Sequence, residues 1–518
     1  MRSCRRVGCC GLFVAISSAL ISLGCGGGGS WPNPTTTVAA TQNPLVAQYT
    51  IGSSHPASTA WVEFGEDTNY GRQTSVTAAT IGIGKTVNVL VAGMKPSTTY
   101  HMRAHVDWPG GSWIEPDRTF ATGALPKVSA GTTRPLTLPV IAVSHPTPGL
   151  SPSSGVELFN LVQPVTGNML RAFVTDLQGN VIWYYDPGPL NGDPVPMKPL
   201  QNGHFILNVG DLLEVDLAGN IVRDINYKSI NQSLQTNGYS FAITQFHHDL
   251  LPLPNGHWIA LCNTLKDFTD LPGYPGVTHV LGDALVDIDP SGNVVWAWSG
   301  FDHLDVNRHP LGLADFEGAG ADWTHSNAIL ASADGNLFLS MRNQSWVLKI
   351  DYQNGEGTGD ILWRLGYQGD FALSQDVLSD WFYAQHYPNA LSDDGTQTTF
   401  AIWDNGDGRI GSDGQPCGIL PCYSRATIFQ IDQSTKVANL IWQDLPGFYS
   451  FWGGSIGTLD NGDVEFDQTT PFAAADQSIV EEVTHTDNPQ VVWQLNLTGE
   501  NAYRGYRIPS LYPGVTWK

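Results

Sequence analysis

From about residue 155 onward the chain repeats one short pattern, and this repetition limits its architecture more than any other feature. A turn dipeptide comes first, at Gly167-Asn168, Asn202-Gly203, Asn255-Gly256, Asp334-Gly335, Asp394-Gly395 and Asn461-Gly462. Glycine and asparagine accept positive φ, so such pairs favour hairpin turns. An apolar strand follows each turn. A further short strand, usually ending in Trp, completes the unit: Val181-Ile182-Trp183, Ile221-Val222, Val294-Val295-Trp296, Ile361-Leu362-Trp363, Leu440-Ile441-Trp442 and Val491-Val492-Trp493. Both series count six. A small sheet cannot bury both faces alone, so such units stack until the array closes. Six hairpin-bearing units predict a six-bladed β-propeller. Two stacked sandwiches are the alternative, but sixfold recurrence favours the ring. Long insertions fall between Asn255 and Asp334 and around residues 368–381, where they would project on one face and shape a binding funnel.

A chain of 518 residues exceeds one ordinary domain, and its 56 Gly, 17 Trp and 14% charged residues fit many short strands better than long solvated helices. Residues 33–125 read as a small β-sandwich ahead of the repeats. Trp61-Val62-Glu63-Phe64-Gly65 is strand-like, and Thr86-Val87-Asn88-Val89-Leu90 alternates. The stretch from Gly93 to Tyr100 resembles the fibronectin type III pattern, in which a Tyr locks a corner. His101, Arg103 and His105 then alternate with Met102, Ala104 and Val106. A Pro-rich stretch, residues 138–152, leads into the propeller, which is expected over 155–518.

Residues 1–25 read as an export leader. Arg2, Arg5 and Arg6 precede an apolar stretch, residues 12–23, too short to span a membrane. Ser22-Leu23-Gly24-Cys25 resembles a lipoprotein processing site, with Ser22 where Leu would be expected. Lipidation of Cys25 and plain cleavage both fit. Either route places the mature protein in the periplasm or cell envelope. Cys417 and Cys422 flank a short loop that a disulfide could close in an oxidising compartment, and Cys262 sits in an apolar strand as a core residue. The net charge of −23 argues against nucleic acid or an anionic membrane as partner. It leaves room for a small anion held by a few focused cations.

Three histidine clusters carry the candidate chemistry: Phe246-His247-His248-Asp249-Leu250; Asp322-Trp323-Thr324-His325-Ser326-Asn327 with Ser340 to Ser345; and Gln385-His386-Tyr387 with Trp403 to Arg409. Each His precedes a turn dipeptide, so three repeats carry a His at the same place. Equivalent places converge on a propeller's axis, where the imidazoles and Arg342 could meet. A repeated structural His is the plainer alternative. Asp249 and Asp322 could orient imidazoles or cap turns. Strand alternation would send the His247 and His248 rings to opposite faces, so one of the two is expected in the site, with His248 preferred. Zinc chemistry is disfavoured by the His spacing and by Arg342, and the Asp404 to Asp413 spacing does not fit an EF-hand.

The same clusters resemble the bacterial aryl-sulfate sulfotransferases over roughly residues 155–510. His247-His248-Asp249 with Leu253-Pro254-Asn255-Gly256 is similar to the first active-site blade of that family. Asp322 to Asn327 with Ser340 to Ser345 is similar to the second, and Gln385-His386 with Asp404 to Arg409 to the third. The resemblance implies a periplasmic six-bladed propeller behind an N-terminal β-sandwich. It implies sulfuryl transfer between phenolic compounds through a sulfohistidine, without a nucleotide or any other cofactor. It makes His386 the nucleophile, His325 and Arg342 sulfate-binding residues, and His248 or His247 the remaining histidine. Asn327 and Asn405 fall at substrate-binding positions, and the Cys417 and Cys422 pair at a loop where family members can carry a disulfide.

The residue types suit that chemistry. A neutral imidazole is a nucleophile near neutral pH, and a guanidinium fork matches two sulfate oxygens. Trp323, Tyr387 and Phe382 are candidates to stack on an aryl ring, or to be ordinary propeller packing. The partners expected are an aryl sulfate donor and a phenolic acceptor; a homodimer is compatible with the sequence. An aryl-sulfate hydrolase on the same site and a non-catalytic ligand-binding propeller are the alternatives.

Overall fold

The computed structural model describes residues 31–162, 170–190, 192–308, 321–417, 422–447, 449–469 and 477–517. The leader, Cys25 and the Gly167-Asn168 pair lie outside these. The described chain is nearly all β, in antiparallel sheets with two short parallel additions.

Six sheets of four or five strands follow one another after the N-terminal part. Their first strands are β1 (Met197–Pro199), β2 (Ile243–Pro252), β3 (Ser326–Ala331), β4 (His386–Asp393), β5 (Ser455–Thr458) and β6 (Ala502–Ile508). These six strands touch in a closed circuit. β2 meets β3, β3 meets β4, β4 meets β5, and β5 meets β6. The Tyr506 hydroxyl of β6 donates to Met197 O of β1 at 2.7 Å, and Lys198 Nζ of β1 donates to Leu250 O of β2 at 2.9 Å. β6 is the C-terminal strand, yet it pairs with Val156–Leu161 near the start of the repeats, so the two ends of the array share one sheet.

The repeated dipeptides sit in the turns between first and second strands. Gly203, Gly256, Gly335, Gly395 and Gly462 all adopt φ between +81° and +90°, which a side chain would resist. Gly167-Asn168 lies outside the described residues; in sequence it falls between Val156–Leu161 and Ala172–Thr175, which are the second and third strands of their sheet. The shared closing sheet breaks the sequence register there, because its first strand comes from the C-terminus.

The repeated tryptophans have a specific task. Each lies on an outer strand and donates its indole N–H to the next sheet: Trp183 to Leu217 O (2.8 Å), Trp296 to Gly357 O (3.2 Å), Trp363 to Gln433 Oε1 (3.1 Å), Trp442 to Thr486 O (2.9 Å) and Trp493 to Leu177 O (2.9 Å). The one unit without Trp uses Arg223, which donates to Asp289 O and lies over Trp258. A large apolar ring that still offers one donor is suited to pinning one sheet on another.

Before the repeats stand two sheets: Thr35–Ala40, Ala47–Ser53 and Lys85–Val91 in one, and Arg72–Gln73, Thr59–Gly65, Thr99–Trp108, Gly111–Ile114 and Arg118–Ala121 in the other. Tyr100 Oη accepts from Lys95 N at 2.9 Å, closing the corner. The boundary with the later sheets is less clean than the sequence suggests. The Pro-rich stretch contains a strand, Val140–Ser144, that pairs with the outer strand Val491–Thr498 of the last sheet. The tail returns to the N-terminal sheets: Tyr512 Oη accepts from Ala92 N (2.7 Å), and Trp517 Nε1 donates to Gln73 O (3.0 Å). One apolar core runs through both parts.

The insertion after Asn255 forms a long hairpin, Trp258–Leu271 and Tyr274–Ile288. One ten-residue helix, Tyr227–Thr236, buries Ile230 and Leu234; Asn226 caps its N-terminus by accepting from Lys228 N. Cys262 is buried as a free thiol, and Cys417 is bonded to Cys422.

Candidate functional site

The first strands begin, and the second strands end, at the same side of the circuit. A cavity of about 830 Å³ opens there, lined by His247, His248, His325, His386, Arg342 and Tyr503, with further wall from Phe246, Phe451 and Trp452. Residues remote in sequence meet because each sheet offers the same corner.

Local backbone departures aim the rings. His248 has φ +50°, His325 +48° and Tyr387 +45°. In each case the strand register shifts beside it: between Phe246 and Leu250, Ser326 and Ala328, and His386 and Asn389. Such bulges re-aim side chains next to functional sites. They also correct the sequence reading of the His doublet. The left-handed residue at His248 cancels strand alternation, so both His247 and His248 face the cavity.

His386 is almost fully buried, and its tautomer is set by its neighbours. Asn405 Nδ2 donates to Ser450 O at 2.7 Å and Gly453 O at 3.1 Å, which turns its Oδ1 toward His386 Nδ1 at 2.7 Å. His386 Nδ1 must therefore donate, and Nε2 keeps its lone pair. Gly453 N donates to that Nε2 at 3.3 Å. Burial, then the charge of Arg342, holds the ring well below the usual imidazole pKa. The result is a neutral imidazole with a defined nucleophilic nitrogen.

His247 and His248 face each other through their Nδ1 atoms at 2.7 Å. His247 Nε2 lies 3.1 Å from Asp283 Oδ1, off the line of a good hydrogen bond. Burial works against the Asp283 carboxylate, but the His247 ring and Ser326 hold it below its ordinary range. Burial, then the neighbouring His325, His247 and His386, pushes His248 well down. His325 is more open to the cavity, and its Nδ1 is bonded to Asp322. The His248 and His325 rings meet edge-on at 4.7 Å.

Arg342 is 8% exposed. Nη1 donates to Asn343 Oδ1 (3.0 Å), and Nη2 to Asp407 Oδ2 and Phe451 O (both 2.8 Å). Among the described residues its Nε has no hydrogen-bond partner. Asp407 in turn accepts from the Tyr449 hydroxyl. Burial raises Asp407 to about 6 despite Arg342. Asp404, the other acid of that loop, holds Arg409 (2.9 Å) and Arg425 (2.7 Å). These acids serve arginines.

Other residues singled out by sequence lie elsewhere. Asp249 does not orient an imidazole; it pairs with Lys198 and Arg504. Asn327 is fully buried and gives its amide to Gln385 O at 2.7 Å, so it does not line the cavity. Asn405 lies behind His386. Trp323 packs on Phe301, Phe382 on Phe429, and Tyr387 on Tyr506, none of them at the cavity. The aromatic wall is Phe246, Phe451, Trp452 and Tyr503 instead. The sequence reading missed Tyr503 and the segment from Tyr449 to Gly453. The one available signal was the aromatic and glycine run Tyr449-Ser450-Phe451-Trp452-Gly453-Gly454 just before a first strand.

The family model described as Arylsulfotransferase (ASST) matches residues 151–507. Comparison with curated proteins found no relative. Among solved structures, a protein from Lactobacillus plantarum is similar at 9% identity, over 68% of this chain and 99% of that one, with a TM-score of 0.35. A europium-containing methanol dehydrogenase is similar at 12% identity, over 79% and 77%, with a TM-score of 0.31. Virginiamycin B lyase from Staphylococcus aureus is similar at 10% identity, over 69% and 99%, with a TM-score of 0.26.

Proposed function

The chain belongs to the arylsulfotransferase family, and from that premise we propose that it moves a sulfuryl group from an aryl sulfate to a phenolic acceptor through a sulfohistidine on His386. The observation that carries this reading is the buried, neutral His386 with its lone pair on Nε2, facing a cavity that also holds Arg342 and three further imidazoles.

In the first half-reaction Nε2 attacks sulfur as the S–O bond to the aryl group breaks, and the phenolate leaves. In the second, a phenol oxygen attacks sulfur, the N–S bond breaks, and the phenol loses its proton. Charge spreads over the equatorial oxygens during both steps, by analogy with phosphoryl transfer. Arg342 meets that charge with fixed donors; losing one such donor costs about 3–4 kcal/mol of barrier. His325 carries the proton. It is the more open ring, and Asp322 fixes Nδ1 as the donor so that Nε2 faces the exchange. His248, held neutral by burial, offers a hydrogen bond rather than a charge. Phe246, Phe451, Trp452 and Tyr503 supply a wall for the aryl ring. No nucleotide is needed, because the histidine itself stores the group.

The closed circuit of first strands supports a six-bladed β-propeller, and the two preceding sheets with the Tyr100 corner support a fibronectin-like sandwich. The Cys417–Cys422 bond suits the oxidising compartment to which the leader would send the chain.

Intact-mass measurement after exposure to donor alone tests the reading. One sulfuryl adduct is expected on the wild type and none on His386→Ala; an adduct retained by that variant refutes the assignment.

A further inference from the structure

Three strands share a feature that the transfer chemistry does not use. On β2, β4 and β6 one residue lines the cavity and the next turns away from it: His248 and Asp249, His386 and Tyr387, Tyr503 and Arg504. The residues that turn away meet behind the histidines, where Lys198 of β1 joins them. Lys198 Nζ lies 2.5 Å from Asp249 Oδ1, and Arg504 Nη1 lies 3.3 Å from the same oxygen. Arg504 also donates to Asn327 O of β3 and lies over the Tyr387 ring at 4.3 Å. Asp249 Oδ2 accepts from Ile329 N at 2.9 Å. Arg504 and Asp249 are 1% and 3% exposed.

The charges in this cluster do not balance. Two cations face one carboxylate. Burial keeps the neighbouring Tyr387, Tyr503 and Tyr506 hydroxyls protonated, so they add no negative charge. The other acids around the cavity are each engaged: Asp283 at His247, Asp322 at His325, Asp407 at Arg342, and Asp193 of the cavity wall at Arg171. Among the described residues at the site, only this cluster holds cations in excess of acids. Its charge reaches the cavity, since Arg504 is among the groups that depress both His248 and His386.

We propose that Lys198, Asp249 and Arg504 form a cationic floor beneath the histidines, whose single excess positive charge draws the anionic end of an aryl sulfate into the cavity. His248 and His386 are held neutral by burial, Arg342 is paired with Asp407, and Asp283 keeps its negative charge beside His247, so the resting site offers an anion no free positive charge of its own. A fixed charge one residue behind the rings supplies it without occupying the nucleophile. Buried charges act over several ångströms because little water screens them. The three are positioning residues, none of them touching the reacting atoms. The proposal rests on reading the cavity as the sulfuryl site.

The test measures binding, not turnover. The full-length protein is titrated calorimetrically with an aryl sulfonate, which carries the charge but has no transferable S–O aryl bond, and in parallel with the corresponding uncharged phenol. Lys198→Met removes the excess charge and should weaken sulfonate binding on the order of 3–10-fold. Asp249→Asn doubles the excess and should tighten it by a similar factor. Lys198→Glu reverses the sign and should weaken it beyond Lys198→Met, which keeps the test decisive if Asp249→Asn does not fold. Phenol affinity should stay constant throughout. Sulfonate affinity that ignores these charges, or sulfonate and phenol affinities that move together, overturns the proposal. Sulfonate binding that follows the charge order in a protein forming no adduct on His386 would leave the floor standing and remove the transfer reading.

Discussion

Asn405 Oδ1, 2.7 Å from His386 Nδ1, determines which nitrogen of that histidine can react. The amide cannot turn around, because its Nδ2 is held by Ser450 O and Gly453 O. Asn405→Ala frees the ring to take the other tautomer or rotate. A wrong tautomer in a comparable imidazole site costs about 10⁴ in rate, so a fall of at least about 10²-fold in adduct formation is expected. Quenched mass spectrometry at short times reads that rate. A normal rate in a folded Asn405→Ala protein would show that Asn405 does not set the tautomer.

The sequence made the repeat legible because turn glycines and strand-ending tryptophans are local signals. It could not show that the first sheet is offset from the repeat, since the C-terminal strand that completes that sheet lies over 300 residues away in the chain. The histidines were legible as equivalent positions. That both rings of the His247-His248 pair reach the cavity was not, because it depends on a left-handed residue whose cost the surrounding strands absorb. Trp323 and Phe382 look like ligand-stacking residues by adjacency, but both stand in connecting segments outside the strands, and their rings pack on Phe301 and Phe429 instead. The true wall comes partly from a connecting segment, where residue pattern says little about direction.

Asp407 makes the hold on Arg342 depend on pH. Burial raises its carboxyl to about 6, above its unfolded value, so it carries charge above that pH and loses it below. The Arg342 anchor is therefore intact at neutral pH and weakens as pH falls through 6. The KM for an aryl sulfate donor should rise on that acid side. Asp407→Asn, which cannot titrate, should show a raised KM at neutral pH and no further rise over the same window. Parallel acid limbs in the two proteins would exclude Asp407 as the source.

Trp452 and Phe451 stand on the segment that also supplies Gly453 N to His386 and Phe451 O to Arg342. Their backbone atoms hold the catalytic groups, while the Trp452 ring faces the cavity. Trp452→Ala removes the ring and keeps the backbone. Aromatic contacts are worth about 0.5–1.5 kcal/mol beyond area burial, so donor KM should rise roughly 3–10-fold with kcat changing less. A fall in kcat at constant KM would mean that the ring positions His386 rather than the aryl group.

Arg507 joins the two ends of the array. It pairs with Glu157 on the strand next to β6, and reaches Glu465 and Glu482 of the last sheet at 3.0 Å each. Four ionisable groups are thus buried where the chain closes on itself. Burial, then repulsion from Glu157, pushes Glu465 well above the ordinary carboxyl pKa, so that group already favours its proton. Arg507→Met leaves the carboxylates without their cation. Breaking a buried ion pair from one side costs about 3–5 kcal/mol. The loss must itself depend on pH. Without the cation the folded-state pKa of Glu465 rises further above its unfolded value, and a buried carboxylate becomes less costly as it takes up a proton. The variant's drop in Tm should therefore be largest near neutrality and shrink towards about pH 5. A deficit independent of pH would mean that Arg507 contributes by packing over Trp493, which its guanidinium also covers at 4.9 Å, and not by neutralising the acids.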